Sequence, residues 1–209
     1  MSVQGTLRGM RSITVYCASS SSLDPHFTQS ARTLGQALAE RGISLVYGGG
    51  STGLMGEVAR ATHEAGGRIE GIITEYLKDR EVAFQACDEL VVVPTMRDRK
   101  KIMSDRADGF MVLPGGLGTY EEFFEVLVGR VLIEHNKPIG IVNDHGYFDP
   151  LIALIEHGIN ESFIRPAVRE LMVVGSDPVE VLDALIANQG RVFDPALLMP
   201  PLANQSPKA

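Results

Sequence analysis

The stretch that decides the fold is "GFMVLPGGLGTYEEFFEVL", residues 109–127. Its apolar beginning predicts a buried strand, and Pro114 marks the end of that strand. Glycines follow that let a backbone approach a ligand closely: Gly115, Gly116 and Gly118. The remaining residues predict a helix, so this stretch indicates a strand, a glycine loop and a helix in succession.

The start of this helix has two interpretations. Thr119 is a natural N-cap, and Glu122 stands three residues later, at the spacing of a capping box. In that case Glu121 and Glu125 are ordinary residues of a helix start, where negative charge is favoured. Alternatively, the loop amides hold an anion such as phosphate, and a carboxylate faces a group that becomes positive during a reaction.

The rest of the chain alternates apolar runs with helical patterns. Helices are predicted over 26–42 and 54–67, and further strands are predicted over 12–18, 43–50, 68–73, 89–94, 138–144 and 170–175. Continuous apolar strands separated by helices indicate an α/β fold, a Rossmann-like doubly wound parallel sheet with helices on both faces. The ligand of such a sheet lies at the carboxyl ends of the strands.

Length and composition fit one domain. The chain has 209 residues, of which 44% are hydrophobic, and we assign residues 12–190 to a single Rossmann-like domain. Residues 1–11 form an N-terminal tail. Residues 191–209 contain prolines and small polar residues, so we expect a C-terminal tail that is partly disordered.

Charge and residue types narrow the classes of function. A net charge of −7 argues against a nucleic-acid partner. No apolar run approaches the roughly 20 residues that cross a bilayer, so we expect no membrane partner and a cytoplasmic protein. The two cysteines lack CxxC spacing, and the five histidines never occur at i,i+4 spacing, so neither a disulfide framework nor a metal site is predicted.

A first glycine loop, "YGGGSTGLMG" over 47–56, matches two short motifs. Gly48, Gly50 and Gly53 fit the dinucleotide fingerprint, with Glu70 as the ribose-binding acid, but the loop follows the second strand instead of the first. Ser51 also fits the nucleophile elbow of serine hydrolases. A third interpretation is a tight turn whose amides form an anion nest.

A basic segment, "TMRDRKKIM" over 95–103, follows another strand and therefore opens at the same sheet edge. It places cations in the first turns of a helix, where the dipole disfavours them: Arg97, Arg99, Lys100 and Lys101. A solvated basic face is the usual interpretation, but carboxylates from the neighbouring loop or a bound phosphate would also neutralise it. Phosphate on one side and a carboxylate facing a developing oxocarbenium-like sugar on the other would suit cleavage of a glycosidic bond.

These motifs together resemble the LOG family, the cytokinin riboside 5′-monophosphate phosphoribohydrolases. "PGGLGTYEE" is similar to the family's PGGxGTxxE signature, "MRDRK" to its MxxRK element, and "YGGGSTGLMG" to its first glycine loop. The resemblance covers residues 12–188. It implies an enzyme, a nucleoside 5′-monophosphate phosphoribohydrolase that releases the free base and ribose 5-phosphate from AMP or N6-modified cytokinin nucleotides, with no cofactor and no metal.

The resemblance also implies roles for individual residues. Arg99 and Glu122 fall on the catalytic arginine and glutamate of the family. Substrate-binding positions are Glu81, Lys100, Gly115, Gly116, Gly118, Thr119 and Glu121. A homodimer is implied too, and the long helix pattern over 120–136 is apolar on more sides than one sheet face requires.

Two alternatives stay open at the level of sequence. A non-catalytic nucleotide or molybdenum-cofactor carrier has the same kind of fold, but it has no need of Glu122. A pyridoxal-phosphate lysine decarboxylase requires a lysine in a cofactor pocket, and such a context is missing at Lys78, Lys100, Lys101 and Lys137.

Overall fold

A single parallel sheet organises the chain. The computed structural model describes residues 9–78, 80 and 82–199, and its 7 strands lie in the order β4-β3-β2-β1-β5-β6-β7. The strands are β1 (Ser12–Tyr16), β2 (Ser44–Tyr47), β3 (Ile69–Thr74), β4 (Glu89–Val93), β5 (Gly109–Val112), β6 (Ile139–Val142) and β7 (Met172–Gly175). Each coincides with a predicted apolar run, although β3 extends one residue beyond its predicted end, and this confirms the predicted α/β class and doubly wound sheet.

Helices cover both faces of this sheet. They are α1 (Pro25–Glu40), α2 (Gly53–Glu64), α3 (Glu75–Lys78), α4 (Met96–Arg106), α5 (Leu117–Val131), α6 (Asp149–Asn160), α7 (Pro178–Ala187) and α8 (Pro195–Leu198). One apolar core lies under α1, α2 and α7, and a second core lies under α4, α5 and α6. The predicted helix over 26–42 is confirmed, and its side chains Ala31, Leu34 and Leu38 are buried as its spacing indicated.

The chain changes direction across the sheet at β1. Strands β1 to β4 run outward on one side, and β5 then pairs with the other edge of β1, with Thr14 opposite Phe110 and Tyr16 opposite Val112. A crevice therefore opens between the carboxyl ends of β1 and β5, because the loops that follow them diverge to opposite faces. Ligands of open α/β sheets bind at such a position.

The predicted N-cap of α5 was wrong. The helix begins at Leu117, and the cap is Gly116 in an extended conformation, so Thr119 lies inside the first turn and no capping box closes on Glu122. The cause is the space beside Gly115, where a Cβ atom would overlap the hydroxyl of Thr119. The Thr119 side chain therefore packs against the loop, and the helix starts three residues before the predicted position.

The predicted tails lie only partly within the described residues. Residues 191–199 include α8, where Leu198 is buried against the second core, while residues 1–8 and 200–209 are outside the described part of the chain. The predicted disorder of the C-terminal tail stays a prediction. Among the described helices, none is both long and apolar enough to cross a membrane.

Candidate active site

A cavity of about 250 Å³ occupies the crevice between β1 and β5. Its wall combines the end of β1, the residue after β2, one face of α4 and the first turns of α5. The glycines and polar side chains of the lining are Tyr16, Ser19, Gly48, Arg99, Gly116, Gly118, Thr119 and Glu122. The structure thus brings together five of the residues predicted for the site, one on α4 and four at the start of α5, although β5 separates the two helices in sequence.

Arg99 is fixed in the cavity wall by the backbone. It is only 4% exposed, and its Nε and Nη2 atoms donate hydrogen bonds of 3.0 and 2.8 Å to the carbonyls of Ile72 and Gly48. Ile72 lies within β3 and Gly48 directly follows β2, so the backbone of the sheet itself orients the guanidinium. A buried cation held in this way is a fixed positive charge beside the cavity.

Glu122 faces the same cavity from the second turn of α5. Burial raises the pKa of Glu122 to about 7, while the positive charge of Arg99 opposes the rise. The acidic neighbour Glu121 raises the pKa further, and Lys100 lowers it. A carboxyl group with this pKa exchanges its proton near neutral pH, as a general acid or base must.

The glycine loop presents backbone donors to the cavity. Gly116 caps α5 without a side-chain hydrogen bond from any described residue, so the amides of the first turn keep their donor capacity. Two tyrosines also support the loop. The Tyr147 hydroxyl donates a hydrogen bond of 2.6 Å to the Gly115 carbonyl, and the Tyr120 hydroxyl donates to the Tyr147 hydroxyl. This arrangement, together with the helix dipole, favours an anion at Gly116 to Thr119.

The other predicted cations do not enter the cavity. Lys100 forms ion pairs with Glu121 and with Glu125, the latter at 2.8 Å, so carboxylates of α5 neutralise it at the rim. Lys101 pairs with Asp105, and Arg97 is exposed. The sequence left two ways open to neutralise these cations, neighbouring carboxylates or a bound phosphate. For Lys100 the structure favours the neighbouring carboxylates. It places Lys100 and Glu121 beside the cavity and not within its wall.

The first glycine loop has a structural purpose. Gly53, at φ +58°, lies so close to the backbone of residues 18–20 that a Cβ atom there would come within 2.5 Å of the Ser20 carbonyl oxygen. Glu70, the acid of the dinucleotide interpretation, instead forms ion pairs with Arg68 and Arg106. Ser51 lines a separate cleft with Arg60. Neither a dinucleotide fingerprint nor a serine nucleophile gains support.

Sequence reasoning missed Tyr16, the last residue of β1. Burial raises the pKa of Tyr16 well above its usual value, and the carboxylates of Glu122, Glu125 and Glu121 raise it further, so the phenol stays protonated at the cavity wall. The signal that could have found it is topological, because the end of the first strand lines the crevice of a doubly wound sheet. The predicted residue Glu81 lies outside the described residues.

Known proteins resemble this chain in sequence over most of its length. A sequence profile of the family described as "Possible lysine decarboxylase" matches residues 55–185. The cytokinin riboside 5′-monophosphate phosphoribohydrolases LOG5 and LOG7 of Arabidopsis thaliana are 40% and 39% identical to it. The matches cover 84% and 88% of this chain and 77% and 84% of those proteins.

Solved structures share the fold at lower identity. The molybdenum cofactor carrier protein of Chlamydomonas reinhardtii superimposes with a TM-score of 0.64 at 20% identity, over 85% of this chain and 98% of that one. The molybdenum cofactor binding protein of Rippkaea orientalis has a TM-score of 0.64 at 22% identity, over 87% of this chain and 99% of its own. At this identity the likeness concerns the fold alone, whereas the sequence relationship to the phosphoribohydrolases extends through both glycine loops, α4 and α5. The chain belongs to the LOG family, which the profile describes as possible lysine decarboxylases.

Proposed function

We propose that this protein hydrolyses the N-glycosidic bond of purine nucleoside 5′-monophosphates, either AMP or N6-modified cytokinin nucleotides. Water adds across the bond between the base and C1′ of the ribose: its hydroxyl goes to C1′ and its proton goes to the departing base. The products are the free base and ribose 5-phosphate. The observation that carries the proposal is the pairing of Glu122, whose pKa is about 7, with the fixed charge of Arg99 in one cavity.

Glu122 has the chemistry that the bond cleavage requires. The ribose becomes positively charged as the base departs, and a carboxylate in a poorly solvated wall stabilises such a charge strongly. The same carboxylate can take a proton from the attacking water. Arg99 acts through Glu122, since its charge favours the ionised form of a carboxyl group that burial would otherwise keep neutral.

The phosphate and the base have separate places in this proposal. The first-turn amides of α5 suit the 5′-phosphate, because a helix N-terminus with free donors binds anions. Met55, Met96 and Met103 give the cavity an apolar side that suits a purine ring. Binding energy from the phosphate, which does not react, then positions the ribose against Glu122.

The test is the release of free base from AMP and from adenosine at matched concentrations. Loss of two or three charge-assisted hydrogen bonds should lower kcat/KM for adenosine about a thousandfold or more. Ribose 5-phosphate should inhibit the reaction competitively. Equal rates with the two substrates would refute the role of the glycine loop, and AMP that stays intact in a calorimetric titration would favour a carrier.

The family description as a lysine decarboxylase finds no support at this site. Among the described residues, no lysine lines the cavity. Lys100 is held by carboxylates at the rim, and the Nζ atom of Lys137 donates to the Ser104 carbonyl at 2.6 Å. An internal aldimine needs a lysine that reaches into the pocket.

A homodimer is the further part of this proposal. α5 buries Phe123 in the core but leaves Val128 50% exposed, and Leu132, directly after the helix, is also 50% exposed. Val128 lines a groove of about 550 Å³ between α5 and α6, where Phe163 is 89% exposed. An apolar surface of this kind is typical of a subunit interface, and a second copy of the chain presents the same groove and the same phenylalanine in a twofold arrangement.

A further inference from the structure

A cluster of metal-ligating side chains lies apart from the candidate active site. His26, Asp144 and His145 each offer a ligand atom, and these atoms all lie within 4.8 Å of one another. They line a cleft of about 570 Å³ between the start of α1 and the turn after β6. No described residue lines both this cleft and the cavity of Arg99 and Glu122.

His26 is oriented as a metal ligand would be. Its Nδ1 atom lies 2.7 Å from a carboxylate oxygen of Asp24, the residue that also caps α1. Its Nε2 atom is buried, and no described residue provides it with a hydrogen-bond partner. Buried polar atoms normally have a partner, and an imidazole held by a carboxylate at one nitrogen commonly binds a metal through the other.

Asp144 and His145 approach from the opposite side of the cleft. The side chain of Asp144 is 7% exposed, and its Oδ2 atom accepts a hydrogen bond of 2.6 Å from the Ser30 hydroxyl. Its Oδ1 atom lies 2.5 Å from Nδ1 of His145. His145 has φ +49°, a conformation that few non-glycine residues adopt, and this backbone turns its imidazole toward the preceding carboxylate and toward the ring of His26, with centroids 4.1 Å apart.

The cluster does not have the connections of a nucleophilic triad. The Ser30 hydroxyl donates to Asp144 and not to an imidazole, so this arrangement lacks the serine–imidazole contact of such a triad. Two imidazoles and one carboxylate, whose ligand atoms lie within 4.8 Å of one another, instead form a donor set of two nitrogens and one oxygen, and His26 contributes a buried, unpartnered nitrogen among the described residues. That set suits zinc and related ions, whereas Mg²⁺ and Ca²⁺ prefer oxygen ligands alone.

We propose that His26, Asp144 and His145 bind one divalent transition-metal ion of the zinc class, with water completing the coordination from the open cleft. Ligands of a tetrahedral zinc ion lie about 3.3 Å apart. Small side-chain rotations, chiefly of His145, whose side chain is 67% exposed, bring the three ligand atoms to that spacing. Asp24 acts from behind His26 as an orienting carboxylate.

The position of the site indicates what the ion would stabilise. The turn that carries Asp144 and His145 continues to Tyr147, whose hydroxyl donates to the Gly115 carbonyl beneath the glycine loop. A bound ion would tie this turn to the start of α1. The ion is therefore assigned a structural role outside the reacting cavity, and hydrolysis does not pass through it.

The experiment is a titration of chelator-treated protein with Zn²⁺ by calorimetry, and with Co²⁺ by its visible absorption. We expect one ion per chain. His26→Ala and His145→Asn should each weaken binding about a hundredfold or more, and Asp24→Asn about tenfold to a hundredfold. Asparagine tolerates the backbone conformation of His145, so that variant keeps the turn.

The matched control is His157→Ala, which removes an exposed histidine of α6 and should bind Zn²⁺ as the unmodified protein does. Millimolar Mg²⁺ should not displace the ion. The proposal is overturned if the double variant of His26 and His145 still binds one Zn²⁺ with unchanged affinity. Equal losses in His157→Ala, or competition by Mg²⁺, would overturn it too. Circular dichroism of each variant establishes that it is folded.

Discussion

The guanidinium of Arg99 packs directly on the α-carbon of Gly48 and donates a hydrogen bond of 2.8 Å to its carbonyl. A Cβ atom at position 48 would overlap Nη2 of Arg99, so only glycine leaves room for this contact. The first glycine loop therefore serves the candidate site indirectly: it leaves the space in which the cation is held.

Gly48→Ala should consequently lower kcat/KM. The added methyl group displaces the guanidinium from the cavity wall, and a displacement of about 1 Å can cost about a hundredfold in rate. Base release from AMP is the measurement. Gly9→Ala is the control, because a Cβ atom there meets nothing within 4 Å. An unchanged rate in Gly48→Ala would contradict the role given to Arg99.

Replacing Arg99 should move the pH profile of the reaction. The charge of Arg99 lowers the pKa of Glu122, so in Arg99→Gln that pKa should rise above its value of about 7. If the ionised Glu122 is the active form, the midpoint of kcat/KM against pH should shift upward. The variant should also be less stable by about 1–3 kcal/mol, since the carbonyls of Gly48 and Ile72 lose donors. A profile that keeps its midpoint would separate Arg99 from the ionisation of Glu122.

Glu122→Gln should abolish turnover while the protein stays folded. The amide keeps the shape of the side chain but can neither ionise nor accept a proton, so neither proposed role survives. The matched control is Glu134→Gln, which changes an exposed residue just beyond the same helix and should retain full activity. Activity within tenfold of the unmodified protein would exclude Glu122 as the catalytic carboxylate.

Glu122→Gln should also remove a loss of stability that the unmodified protein undergoes as the pH rises. Because the pKa of Glu122 is raised from 4.5 to about 7 by folding, the folded state favours the protonated form. This contribution is fully present below about pH 4.5 and is lost as the pH rises through 7, at a cost of up to about 3 kcal/mol. Glu122→Gln should therefore gain stability over the unmodified protein between pH 5 and pH 8. Urea unfolding at both pH values measures the difference, and parallel curves for the two proteins would contradict the raised pKa.

Phe163→Asp should convert the proposed homodimer into a monomer. Phe163 is 89% exposed, so the substitution should leave the fold of one chain unchanged while it places a charge in the apolar groove. Light scattering at micromolar concentration reads the mass. Val192→Asp, at a 79% exposed position that does not line the groove, is the control. A monomeric mass for the unmodified protein would refute the dimer itself.

The sequence could predict the strands and the proximity of Arg99 and Glu122 for a clear physical reason. The strands follow short apolar runs, because a parallel sheet covered on both faces buries nearly all residues of its inner strands. Arg99 and Glu122 follow strand ends, and strand ends of a parallel sheet meet at one edge. Their proximity thus follows from topology alone.

Other features depend on helix phase, which the sequence does not determine. Successive residues of α4 are rotated by about 100° around the helix axis, so the cations of 97–101 point in different directions. Only contact with the sheet decides that Arg99 points inward while Lys101 pairs with Asp105 on the outside. The start of α5 was missed because glycine caps through its backbone, and a threonine nearby gives a stronger local signal. His26 and His145 meet only through the crossover of the sheet, so no sequence spacing reveals them.

The pairing of β1 with β5 has a consequence for how the chain is made. β1 completes its pairing only when Gly109–Val112 has been synthesised, so the nascent chain up to about residue 108 carries an unpaired β1 edge. Such an edge can pair with another chain, and this early segment is the one that a chaperone would protect. The cavity also needs residues from both sides of the pairing between β1 and β5. A nucleotide that binds in the cavity therefore bridges the two halves of the sheet. Ligand should therefore slow the exchange of amide hydrogens across β1 and β5 together, and not only in the loops that it touches.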